Sequence, residues 1–127
     1  MPHIIVEYTS NLKDEGNIRL LLQQINESLI AEGDVFPIGG IRSRAIEVKD
    51  YVIADGTGED DAFVHVLLKI GAGRSEEILK KACDRLFRQI QEHFAEIFET
   101  RYLALSMEIV EFQKATYKKN NIHARYK

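Results

Sequence analysis

The sequence predicts an α+β fold: two tandem βαβ units forming a four-stranded sheet, with two helices on one face. Three observations predict it. Strand and helix periodicities alternate as strand, helix, strand, and then repeat that order. The turn-rich stretch DGTGEDD (55–61) separates the two rounds, so the chain reads as a structural duplication. Right-handed crossovers then put both helices on the same side of the sheet.

The elements follow in order. HIIVEYTS (3–10) is rich in β-branched residues and reads as the first strand. Asn11 stands where a helix cap would, with Asp14 and Glu15 in the first turn, where the helix dipole favours negative charge. Ile18, Leu21, Leu22, Ile25 and Leu29 then recur at helical spacing, and Gly33 ends that helix. VFPIGG is a loop and residues 41–54 a strand, in which Ile41, Ser43 and Ala45 give way to Ile46 and Val48, as at a bulge or change of face. AFVHVLLKI (62–70) is a nearly continuous apolar run, the pattern of a strand buried on both faces. After GAGR (71–74), Ser75 is a second cap with Glu76 and Glu77 behind it. Leu79, Ala82, Cys83, Leu86, Phe87, Ile90, Phe94, Ile97 and Phe98 form the apolar stripe of one long helix, and 102–112 is the last strand. The tail 113–127 is polar and basic, with Tyr117 and Tyr126 as anchors. The halves are about 1–54 and 61–112 of a single domain spanning 1–127.

Composition bounds the function. At 127 residues and 45% apolar content, one domain with a real core is expected. A net charge of −3 argues against nucleic acid, because counterion release needs a basic face. No apolar stretch approaches the roughly 20 residues that cross a bilayer, and no basic region leads into an apolar run at the N-terminus. The single cysteine, Cys83, cannot form an internal disulfide and points to a reducing cytoplasm. Two helices on one face leave the other face of an apolar sheet bare. A second copy of the chain is the simplest cover, so an obligate homo-oligomer is expected.

The proline at position 2 opening the first strand, the doubled βαβ order and association through the sheet together resemble the tautomerase superfamily, which includes 4-oxalocrotonate tautomerase and macrophage migration inhibitory factor. Within it, the stretches PHIIVEY, FPIGGIRSR, ADG, AFVHVLLKIGAGRS, RYLALSMEI and NNIHARYK resemble the 5-carboxymethyl-2-hydroxymuconate Δ-isomerases over nearly the whole chain. A loop near Glu32–Asp34 is one residue longer than that pattern. The resemblance implies a cytoplasmic homotrimer and a cofactor-free proton shift on an intermediate of homoprotocatechuate breakdown. Composition and histidine spacing lead to the further expectation of no metal, no membrane and no nucleic acid.

The residues suit that chemistry. Removal of Met1 would make Pro2 a secondary amine, intrinsically more basic than an ordinary α-amino group. Burial and nearby arginines would lower its pKa toward neutrality, where a base is most useful. Without the resemblance, a Met-Pro start is merely a stiff strand beginning. Arg42 and Arg44 alternate around Ser43 and so share a face; they are either surface residues paired with Glu47 or Asp50, or guanidinium forks for substrate carboxylates. The resemblance assigns Arg42 to the substrate site and leaves Arg44 less secure. Arg74 follows glycines that either satisfy a turn or let a ligand approach a helix N-terminus; the resemblance makes it a second carboxylate-binding residue. Other readings of the same pattern are a tautomerase for another 2-hydroxydienoate or enol acid, and a trimeric interaction protein without chemistry. Lys69 is expected opposite Leu68 and outside the site. His3, His65, His93 and His123 lack metal spacing. His93 reads as lying on a polar helix side, and His65 as a core or interface histidine bonded to a neighbour. Cys83 reads as a small buried thiol, and a Ser43–His65–Asp61 triad has no supporting context.

Overall fold

The computed structural model describes residues 1–112, 114 and 116–126. Four strands and three helices follow in the order β1 (His3–Thr9), α1 (Ile18–Ile30), β2 (Arg42–Val48), β3 (Ala62–Gly71), α2 (Glu76–His93), α3 (Ala95–Thr100) and β4 (Leu103–Phe112). The sheet order is β2-β1-β3-β4. β1 runs parallel to β2, and β3 parallel to β4, so each βαβ unit is intact. The two units meet where β1 and β3 pair antiparallel, His3 opposite Lys69 and Val6 opposite Val66.

One face of the sheet makes the core. Ile4 and Val6 of β1 and Val64, Val66, Leu68 and Ile70 of β3 are fully buried against Leu21, Ile25 and Leu29 of α1 and Leu86 and Ile90 of α2. Side chains alternate across a strand, so their neighbours His3, Ile5, His65, Leu67 and Lys69 stand on the open face. β3 is therefore buried on one face and half-buried on the other, which corrects the reading of full burial on both sides. The open face is also less apolar than expected. Arg44 approaches His3 on it, and His65 bonds Ser106 (2.6 Å) and Glu108 (2.8 Å), interspersed with Ile5, Phe63 and Leu67.

Five local departures are seen. Asn11 caps no helix: its side chain accepts from the Thr9 hydroxyl (2.7 Å) and donates to the Asp61 carbonyl (2.9 Å), tying a short 3-10 turn to the loop before β3. Asn17 then adopts a left-handed conformation (φ 47°), and α1 begins only after it. At the other end α1 stops at Ile30, and Gly33, with φ of 71°, lies in a following 3-10 turn. The long second helix breaks at Phe94, whose buried ring packs edge-on to His93 (4.7 Å), giving α2 and α3. β2 ends at Val48 without a bulge: its pairing with β1 is continuous, Ser43 faces α1 and bonds Asn26 (2.7 Å), and Ile46 is exposed on the open face. Ser75 does cap α2, its hydroxyl accepting from the Ile78 amide at 3.2 Å. His93 is not on a polar side: it bridges Gln24 (2.9 Å) and the Gly16 carbonyl (2.7 Å), joining α2 to α1.

The tail returns to the sheet's end. Asn120 donates to the Gly39 carbonyl (2.8 Å), and a 3-10 segment, Ile122–Tyr126, packs beside Ile38–Gly40. Tyr117 is fully exposed, whereas Tyr126 lines a cleft with Phe36, Pro37 and His123. Part of the tail reading falls on residues 113, 115 and 127, outside the described residues.

Candidate active site

Antiparallel pairing of β1 with β3 brings the chain start and the end of β3 to the same edge of the molecule. Parallel pairing adds the start of β2 and the end of β4. Arg42 lies opposite His3, and its amide donates to the Pro2 carbonyl at 3.1 Å. Gly71 lies opposite Phe112. Pro2, Arg42 and the Gly71–Arg74 turn, distant in sequence, thus gather at one end of the sheet.

Pro2 is buried. With Met1 attached its nitrogen is a tertiary amide and has no basicity; the amine at this end is that of Met1. Burial, then the charges of Lys118, Arg74 and Arg42, hold the Met1 ammonium below its ordinary value of 8.0. All four causes disfavour the cation. A cavity of about 370 Å³ opens here, lined by Met1, His3, Arg42, Phe112, Thr116 and Tyr117 together with Lys118 and Lys119. Among the described residues, no carboxylate lines it. Burial, followed by the charges of Arg44, Arg42, the N-terminus and Lys69, holds the pKa of His3 below its ordinary value of 6.5. Arg44 donates through Nη1 to His3 Nδ1 (3.2 Å), which places the imidazole proton on Nε2.

The predicted site residues fare differently. Arg42 lines the cavity beside Met1. Arg44 shares its face, as the alternation required, but is engaged with His3. Arg74 does not line the cavity: Nε donates to the Val35 carbonyl and Nη1 to the Gly71 carbonyl, both at 3.0 Å, and the guanidinium sits over the Phe36 ring, 4.7 Å from its centroid. Its charge reaches the amine while its nitrogens brace the loop. Gly73 (φ 115°) supplies a conformation that side chains rarely adopt, which turns Arg74 back toward Gly71. Lys69, left out at the sequence level, pairs opposite His3 and adds its charge there. Sequence reasoning also missed His3, Phe112 and the tail lysines; the basic character of the tail was the available signal, but nothing local says where it folds.

The Ser43–His65–Asp61 triad is excluded by geometry, since Ser43 faces α1 and His65 the open face. Cys83 is buried on α2, where burial pushes its thiol pKa up. Among the described residues, no group of three or more His, Cys, Asp and Glu side chains could hold a metal ion, and no helix is long and apolar enough to cross a membrane.

The family model for 5-carboxymethyl-2-hydroxymuconate isomerase matches residues 2–126. This chain belongs to that family. A 5-carboxymethyl-2-hydroxymuconate Delta-isomerase of Escherichia coli is 46% identical over 128 residues, covering 100% of both chains. The crystal structure of a 5-carboxymethyl-2-hydroxymuconate isomerase from Deinococcus radiodurans R1 superposes with a TM-score of 0.95 at 53% identity, covering 99% of this chain and 94% of that one. A wild-type fused 4-OT symmetric trimer shares the fold alone, with a TM-score of 0.60 at 15% identity over 93% of each chain. The chain is an isomerase of that family, and the four-stranded mixed sheet with its two main helices is the family's α+β fold.

Proposed function

We propose that the chain isomerises 5-carboxymethyl-2-hydroxymuconate, in the cytoplasmic breakdown of homoprotocatechuate, with Pro2 as the acid–base group of a homotrimer. The observation that carries this reading is the N-terminal amine, held below its ordinary pKa by burial and three cationic side chains at the end of a cavity that no carboxylate lines among the described residues. Once Met1 is removed, the secondary amine of Pro2 lies at that end. Burial of Pro2 and the charges of Arg42, Arg74 and Lys118, which disfavour the Met1 ammonium, disfavour its protonation in the same way. The amine takes the proton of the 2-hydroxyl group, the electron pair moves through the conjugated chain, and the ammonium returns a proton to carbon. The product is the 2-oxo isomer, and no electrons are gained or lost. Arg42 binds a carboxylate and stabilises the negative charge that develops on the enol oxygen. Arg74 acts through its charge and through the loop it braces; Arg44 orients His3.

Intact mass and a turnover assay test this. Protein lacking Met1 should consume the dienol absorbance of 5-carboxymethyl-2-hydroxymuconate, and Pro2→Ala, which has a primary amine of different basicity and shape, should lose at least about tenfold in rate, the lower range of acid–base contributions being near 100-fold. Retention of Met1 in active protein would refute the role of Pro2. Absence of turnover by protein with a free Pro2 would refute the substrate.

A further inference from the structure

The arginines singled out from sequence leave the cavity short of cations. Arg74 spends Nε and Nη1 on two carbonyl oxygens and its ring face on Phe36, and Arg44 spends Nη1 on His3. Arg42, Lys118 and Lys119 are the side-chain cations that line the space, and neither lysine forms an ion pair among the described residues. Lys118 is nevertheless no loose surface lysine. Two residues on, Asn120 is fastened to the Gly39 carbonyl (2.8 Å) and receives the Ile122 amide (2.8 Å) on its side-chain oxygen. A side chain added at Gly39 would strike the His123 backbone at 2.8 Å, and Gly40 abuts Met1, at 3.6 Å by the same measure. This contact fixes the tail beside the chain start and sets Lys118 over the cavity.

We propose that Lys118 is a substrate-binding residue whose ammonium takes a carboxylate that Arg42 leaves free, making the site selective for tricarboxylic over dicarboxylic acids. The inference rests on the reading of this cavity as the substrate site. A ligand with three carboxylates meets three lining cations and the apolar flank of Phe112, with no carboxylate among the described lining residues to repel it. The charged groups facing the amine from every neighbouring element are cationic: Arg42 from β2, Arg74 from the β3–α2 turn and Lys118 from the tail, with Arg44 and Lys69 further out around His3. Of the lysines, Lys118 acts on the amine directly.

Calorimetric binding of propane-1,2,3-tricarboxylate and of glutarate at fixed ionic strength tests this without turnover. Lys118→Met should weaken tricarboxylate binding about five- to tenfold, the scale of one charged contact at an exposed site, and change glutarate binding less than about twofold. Lys118→Arg should restore most of the difference. Lys114→Met, on the same exposed tail but outside the cavity lining, should change neither. Equal weakening of both acids, no weakening, or a wild-type protein that binds neither would overturn the proposal. Turnover that depends on Pro2 alongside unchanged tricarboxylate binding in Lys118→Met overturns the role of Lys118 and leaves the isomerase reading intact. Lys118-dependent tricarboxylate binding by protein that fails to turn over the muconate supports the role of Lys118 and refutes the substrate.

Discussion

Arg74→Lys separates what Arg74 contributes as a charge from what it contributes as a brace. The guanidinium reaches the Val35 carbonyl through Nε and the Gly71 carbonyl through Nη1, each at 3.0 Å, and lies 4.7 Å from the centre of the Phe36 ring. A lysine ammonium is a point donor on a flexible stem; it can satisfy one of these carbonyls but not both in the same planar fork, and it has no flat face to stack. The loss is about 1 kcal/mol for one net hydrogen bond and ~0.5–1 kcal/mol for the stacked cation. About 1.5–2 kcal/mol of stability should therefore disappear. At a typical urea slope of ~1.5 kcal/mol per molar, the midpoint should fall by about 1 M at fixed protein concentration, with the slope unchanged. The positive charge survives, so the pH midpoint of the N-terminal amine should hardly move. Arg74→Met removes brace and charge together; its amine, freed of one repelling cation, should hold its proton to higher pH. A Lys variant as stable as wild type would refute the brace. An unmoved amine in the Met variant would refute the electrostatic role.

Three further outcomes are expected. In protein that keeps Met1 the folded amine resists protonation while the unfolded chain binds its proton near 8.0, so the unfolded state holds more protons between the folded value and 8.0; the prolyl amine left when Met1 is removed meets the same cations. Stability should rise with pH through that window, and activity should rise through a midpoint below that of an ordinary prolyl amine; titration of the rate against pH reads the second, and a midpoint at or above the free-amine value would refute the lowered pKa. Gly39→Ala forces a methyl group into the His123 backbone at 2.8 Å, so the tail should detach, seen as faster proteolysis after residue 116, while β1–β3 pairing persists. His93→Ala removes the bonds from α2 to Gln24 of α1 and to the Gly16 carbonyl just before it, and should cost about 2 kcal/mol in urea unfolding, most of it from the Gly16 carbonyl and Gln24 left unpaired.

The sequence by itself determined the alternation of elements, the doubled βαβ order, the Ser75 cap and the shared face of Arg42 and Arg44, because each depends on a period of 2 or 3.6 or on a neighbour three residues away. It misjudged the start of α1, because the amide of Asn11 is spent on Asp61, 50 residues distant. It over-read the apolar run of β3, since hydrophobicity along a strand does not reveal that Phe63 and Leu67 alternate on the open face with His65 and Lys69. Pro2 and Arg42 were legible as candidates from residue chemistry and resemblance. Only the tertiary structure decided that Arg74 braces a loop rather than lining the cavity, and that Lys118 reaches the chain start. Those outcomes depend on the β1–β3 register and on a tail held by Asn120 at Gly39, and contacts closed across tens of residues leave no local period in the chain.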